Sequence, residues 1–161
     1  MPRQIIDYPA DAKGAFCQGD IIIWRLPADI EVDRSQKIAE RDGRIIISEG
    51  ETIGHFHAIE LMGGSAVHRF RDDAMAYSLE RGHTASRTGT ATLYIDSAVT
   101  QELDRRRVLT RTNQCIGYLI VEGGPVVLSH PEHDGARLPA GSYYVGFQSE
   151  SVAGEMRRVQ D

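Results

Sequence analysis

The sequence predicts an all-β domain, a single barrel or sandwich of antiparallel strands with little helix. Three observations carry this. Short apolar, β-branched runs of strand length recur along the chain. Gly, Pro and Asp punctuate them at turn-like intervals, and helix signals are weak. The 161 residues fit one domain, and 41 % hydrophobic residues are enough for a core that needs no disulfide or metal to fold.

The strands follow in order. Gly19-Asp20 precedes Ile21-Ile22-Ile23-Trp24-Arg25-Leu26, which Pro27 closes. Asp42-Gly43 is a turn signal opening Arg44–Ser48. Glu49-Gly50-Glu51 opens the next run, Thr52–Met62, and Gly63-Gly64 stops it. Ala91–Asp96, Cys115–Val121, Val126–His130 and Ser142–Gln148 complete the set, separated by Gly123-Gly124-Pro125 and Pro139-Ala140-Gly141. Trp24, on a strand, reads as a core residue. Asp33–Glu40 and Thr100–Arg107 each suit two helical turns. The acidic-then-basic order across Gln101–Arg107 complements a helix dipole.

Residues 66–111 read as a loop-rich excursion, polar over 66–90 and interrupted by the strand Ala91–Asp96. Residues 151–161 read as a polar tail, either a frayed end or a short docking helix.

The formal net charge is −5, which argues against nucleic acid or an anionic membrane as partner. No apolar run reaches the ~18 residues a spanning helix needs. The start of the chain lacks the apolar stretch of a secretory signal. Cys17 and Cys115 belong to no Cys-x-x-Cys pair, and no disulfide is expected. These features together point to the cytoplasm.

The histidines carry the chemistry. Four of the six form two tight pairs, His55-Phe56-His57 and His130-Pro131-Glu132-His133. On a strand, residues i and i+2 share a face, so His55 and His57 point with Ile53, Ile59 and Leu61 toward the core. Buried imidazoles need partners. A metal ion is one, since the neutral ring nitrogen is a ligand. His130 and His133 sit at a Pro-containing corner that can aim both toward an opposite strand. If the pairs meet, they suit Zn, Fe, Mn, Ni or Cu. His68 and His83 lie in the polar excursion and read as exposed.

Gly54-His55-Phe56-His57 resembles the first motif of the cupins, and Pro139-Ala140-Gly141 followed by Tyr144 and Gln148 resembles the second. The resemblance implies a small β-barrel with a metal held by the two histidines, a glutamate and a later histidine. Glu60, three residues after His57, is the candidate glutamate. Tyr144 occupies the place of the later histidine, where it could ligate only as a phenolate. As catalytic candidates, Glu60 and Tyr144 would serve the metal site or supply a general acid. Beside this, Tyr143, Val145 and Phe147 form the apolar face of their strand, which turns Tyr144 and Gln148 outward.

Two readings stay open. In one, a divalent metal bound by His55, His57, His130 and His133 serves a small-molecule ligand, with oxygenase, isomerase or hydrolase chemistry. In the other, the chain is a structural β module, a subunit of a larger assembly such as a virion, and its histidines are satisfied by hydrogen bonds. Homo-oligomerisation suits either, because open sheet edges need covering.

Overall fold

The computed structural model describes residues 4–8, 14–41, 43–49, 56–60, 89–109, 111–153 and 155–158. Ile53, His55, Leu61, His68, His83 and the polar stretch 66–88 lie outside these.

The strands are β1 (Ile5–Asp7), β2 (Ala15–Gln18), β3 (Ile21–Arg25), β4 (Arg44–Glu49), β5 (Phe56–Glu60), β6 (Thr90–Tyr94), β7 (Cys115–Glu122), β8 (Val126–Ser129), β9 (Gly135–Leu138), β10 (Gly141–Phe147), β11 (Ser149–Val152) and β12 (Glu155–Arg158). Among the described residues one α-helix, α1 (Ser97–Arg105), follows β6, and a 3-10 turn, Thr112–Gln114, precedes β7. Two five-stranded sheets face each other, ordered β1-β9-β8-β5-β4 and β2-β3-β10-β7-β6. No closed barrel forms among the described residues, so the sandwich alternative holds. Among the described residues all inter-strand pairs are antiparallel except β1 with β9, which run parallel.

Period-2 alternation explains the layers. Ile21 and Ile23 of β3, Tyr143 and Val145 of β10, and Leu119 and Val121 of β7 face inward. There they meet Ile45, Ile59, Leu128 and Leu138 of the other sheet. The alternate residues of the second sheet, Trp24, Tyr144, Tyr118 and Ile120, face outward and pack with Val99 and Leu103 of α1. Ile47, two residues from Ile45, joins the inner layer by the same alternation, and a β-bulge between Ile46 and Ser48 shifts the register beyond it.

The helix begins earlier than its sequence signal, at Ser97. Asp96 is the reason: its side chain accepts the Val99 N–H at 3.1 Å as an N-cap. Val99 and Leu103, four apart, are the buried face. Asp33–Glu40, the other expected helix, is irregular. Its backbone bonds to β6 instead, with Ile38 N–H donating to Leu93 O and Gln36 O accepting from Ile95 N–H. The Asp33 carboxylate takes the Ser35 N–H at 2.9 Å, a local turn that competes with helix.

The polar tail is neither frayed nor helical over its described part. It forms the β11–β12 hairpin, with Ser149 opposite Arg158. Hydropathy did not show this, because a two-stranded polar hairpin has no apolar alternation. Strands β1, β2 and β9, short and weakly apolar, also escaped the sequence reading.

Charges tie α1 to the segment after β3. Arg106 pairs with Asp29 at 2.5 Å and with Glu102 at 2.8 Å, and Arg105 joins Glu102. Hydrogen bonds from Arg105, then Arg106, hold the Glu102 carboxyl down at about 2, from an ordinary 4.5. A depressed carboxylate contributes its stabilisation above its ordinary range and loses it as pH falls toward the folded value. An NMR titration of Glu102 is therefore expected to show a midpoint near 2. Arg105→Gln should move it up; an ordinary midpoint in the wild type would mean that the pairs do not persist in solution.

Candidate functional site

The site lies where the β2–β3 turn of one sheet meets β5 and the β8–β9 corner of the other. Gly19 adopts the left-handed conformation, with φ of 55°, and makes this tight turn possible. The turn follows Gln18, which is in register with the inward-facing Ile21, and it carries Asp20. Both polar side chains are nearly fully buried.

His57, on β5, is wholly buried. Its Nε2 lies 3.1 Å from the Asp20 Oδ1 atom, and its Nδ1 lies 2.7 Å from Gln18 Oε1. The Gln18 amide is oriented by its other end, where Nε2 donates to Asp134 O at 2.9 Å. Gln18 therefore presents an oxygen to His57. Each ring nitrogen thus lies within hydrogen-bond distance of a side-chain oxygen, Asp20 Oδ1 on one side and Gln18 Oε1 on the other, and the ring is held from both. The Asp20 Oδ2 atom accepts from the Arg158 guanidinium at 2.5 Å. Here the β11–β12 hairpin meets the body of the sandwich. Gln18, Asp20 and His57 thus connect the two sheets at this end.

His130 follows β8 directly and is buried; His133 lies three residues on and is half-buried. Pro131 turns the chain between them before β9. The His130 ring lies 4.4 Å from the His57 ring, centroid to centroid, and 4.4 Å from that of His133. His57 and His133 are 6.0 Å apart. Glu132 N–H donates to His130 Nδ1 at 3.0 Å, which leaves the proton of a neutral His130 ring on Nε2.

The structure thus brings together His57, His130 and His133 of the sequence-predicted ligands; His55 lies outside the described residues. Their chemistry suits a transition metal: three imidazoles beside a buried carboxylate. Their present orientation serves hydrogen bonding. The rings lie face to face, tilted by 9° to 34°. Among the described residues no three His, Cys, Asp or Glu side chains are arranged, as they stand, to hold one ion.

Of the two catalytic candidates, Tyr144 is placed elsewhere. It faces outward from β10, in register with Trp24, and its ring stacks on the indole at 4.6 Å. Period-2 alternation puts it on the outer face of its sheet, in the cluster under α1, away from the inward-facing His57. The position equivalent to the later cupin histidine therefore does not join the histidine cluster. Glu60 ends β5 with its backbone in register with Arg44; its side chain lies outside the described ones. Gln148, the other second-motif position, bonds through Nε2 to Gly19 O at 2.6 Å, and its N–H donates to Asp20 O. It supports the turn that carries Asp20.

Sequence reading missed Gln18, Asp20 and Arg158. Gly19-Asp20 registered only as a turn, and nothing local marks its aspartate as buried. Both cysteines are free thiols. No helix among the described residues is long and apolar enough to cross a membrane. Comparison of the chain with protein families, with curated proteins and with solved structures finds no match.

Proposed function

We propose that this protein binds a divalent transition-metal ion, Zn, Fe, Mn or Ni, through His57, His130 and His133. The observation that carries the reading is the meeting of three imidazoles from two distant chain segments, within 6.0 Å of one another, next to buried Asp20. In the ion-free arrangement both His57 nitrogens face side-chain oxygens, and Arg158 supplies Asp20 with a cation. Binding would take one nitrogen from each ring, turn the rings so that lone pairs converge, and release to solvent any proton those nitrogens carry. The other His57 nitrogen would keep one of its two acceptors, Asp20 or Gln18, which would orient the ring from outside the coordination shell. With three protein ligands, a further position stays open for a small molecule, where the ion supplies Lewis-acid or oxygen-activating chemistry. A cupin-like enzyme is the finer form of this reading.

A specific observation favours a second reading. Both nitrogens of His57 and Nδ1 of His130 already have hydrogen-bond partners. The cluster then serves as a polar clamp between sheets in a structural module, one that assembles with copies of itself or with a larger body such as a virion.

Elemental analysis of protein purified without an affinity tag or chelator separates the two, followed by titration of metal-free protein with Co²⁺ and Zn²⁺. About one ion per chain is expected under the first reading. It should be lost in His57→Ala, and also in His133→Ala, a half-buried position that disturbs the fold less. Folded wild-type protein that neither carries nor takes up metal would overturn the metal reading and leave the clamp.

A further inference from the structure

A second site lies on the outer face of the β2-β3-β10-β7-β6 sheet, where the segment after α1 crosses the end of β10. It is a cleft of ≈ 330 Å³, lined by Ile22, Trp24, Leu109, Arg111 and Tyr144 among others. That volume is at the small end of the range for ligand pockets. Its walls combine apolar side chains and the stacked Trp24–Tyr144 pair with three polar groups already engaged: Ser149 donates to Gln114 Oε1, and Gln148 donates to Gly19 O.

Two polar groups in it are unspent. Tyr144 is 3 % exposed, yet among the described residues its hydroxyl makes no hydrogen bond. Tyr8, Tyr118 and Tyr143 differ, with hydroxyls bonded to Gly14 O, Thr100 Oγ1 and Pro139 O. The hydroxyl oxygen keeps access to the cleft, where a ligand acceptor would take up its hydrogen bond. Gly146 lets the Tyr144 ring lie in this way. A Cβ there would collide with the phenol oxygen, so the hydroxyl runs over Gly146 toward the residues that line the cleft. Burial pushes the phenol well above its ordinary range, which keeps it a donor. Arg111 is the second group. It is half-buried in the wall and forms no ion pair among the described residues. No Asp or Glu lines the cleft, although the chain as a whole is acidic.

We infer that this cleft binds a small organic acid, an apolar or aromatic body carrying a single carboxylate. The body lies against Trp24 and Leu109, and the carboxylate takes Arg111 and the Tyr144 hydroxyl as donors. Flat aromatic packing and a single half-buried cation favour such a molecule over a polyphosphate, which needs more cationic partners. This site is separate from the histidine cluster and does not depend on metal there.

The protein carries its own probe, because Trp24 is the single tryptophan. Full-length protein is titrated with 3-phenylpropanoate and octanoate, each against its neutral amide, while Trp24 fluorescence is followed. At least one acid is expected to change the emission saturably and to bind about tenfold or more tighter than its amide. Arg111→Gln should remove that preference, weakening the acid far more than the amide. Tyr144→Phe, which retains the stacking ring, should weaken the acid about fivefold. Circular dichroism confirms that each variant folds. Absence of any saturable change with folded wild-type protein, or equal affinity for acid and amide, would overturn the inference. So would an acid preference that survives Arg111→Gln.

Discussion

Asp20→Ala is expected to lower folding stability by about 3–5 kcal/mol, the range seen when one partner of a buried ion pair is removed. Asp20 is only 5 % exposed and lies against His57 Nε2 and the Arg158 guanidinium. Its loss leaves the wholly buried His57 Nε2 without its carboxylate, and a buried polar atom deprived of its partner costs stability. The effect extends beyond one contact, because the pair spans the two sheets. Arg158→Ala should cost far less, about 1 kcal/mol or below, since that side chain is half exposed and well solvated. Urea denaturation of the single variants, and of the Asp20→Ala/His57→Ala double variant, tests this. A coupling of about 1.5 kcal/mol or more is expected for contacting groups. A loss under about 1 kcal/mol for Asp20→Ala would show that the clamp contributes little.

Leu128→Ala is expected to cost about 2–5 kcal/mol, the transfer term plus the cavity left in a close-packed interior. Leu128 is fully buried on β8, with Ile59 of β5 opposite on one side and Ala136 of β9 on the other. It sits in the inner layer and faces side chains of both sheets. Its strand runs directly into His130. Loosening β8 should therefore weaken metal binding along with the fold, if the histidine cluster is the metal site. Thermal melts with and without Zn²⁺ read both effects. A change under about 1 kcal/mol would mean that the layer repacks around the gap.

The strands with strong patterns were legible. Ile21–Arg25, Arg44–Glu49, Cys115–Glu122 and Gly141–Phe147 stand where β-branched runs and turn residues put them. The inward face of β10 was legible too, since alternation alone assigns Tyr143 and Val145 to one side and Tyr144 to the other. Helix α1 was legible in part; its start depends on the Asp96 cap, whose role a polar neighbourhood disguised. Asp33–Glu40 misled because its composition suits a helix, while tertiary hydrogen bonds to β6 decide otherwise.

The site divides in the same way. The two histidine pairs are visible as spacing, and so is the inward direction of His57. Their partners are not. Gln18 and Asp20 lie at the end of a short strand and in a turn; Arg158 lies in a polar hairpin. None has a local signal, because each acquires its role from a residue more than 35 positions away.

The sequence by itself determined an all-β domain, its principal strands, the face each residue takes, and the histidine pairs as the chemical candidates. Those properties follow from short-range periodicity and turn chemistry, which neighbouring residues set. Only the tertiary structure decided that the sheets form an open sandwich, that His57 meets His130 and His133 over a buried carboxylate, and that Tyr144 turns to a different cleft. These depend on which strands pair and which sheet faces meet. That choice is made by long-range packing between segments whose local sequences carry no record of each other.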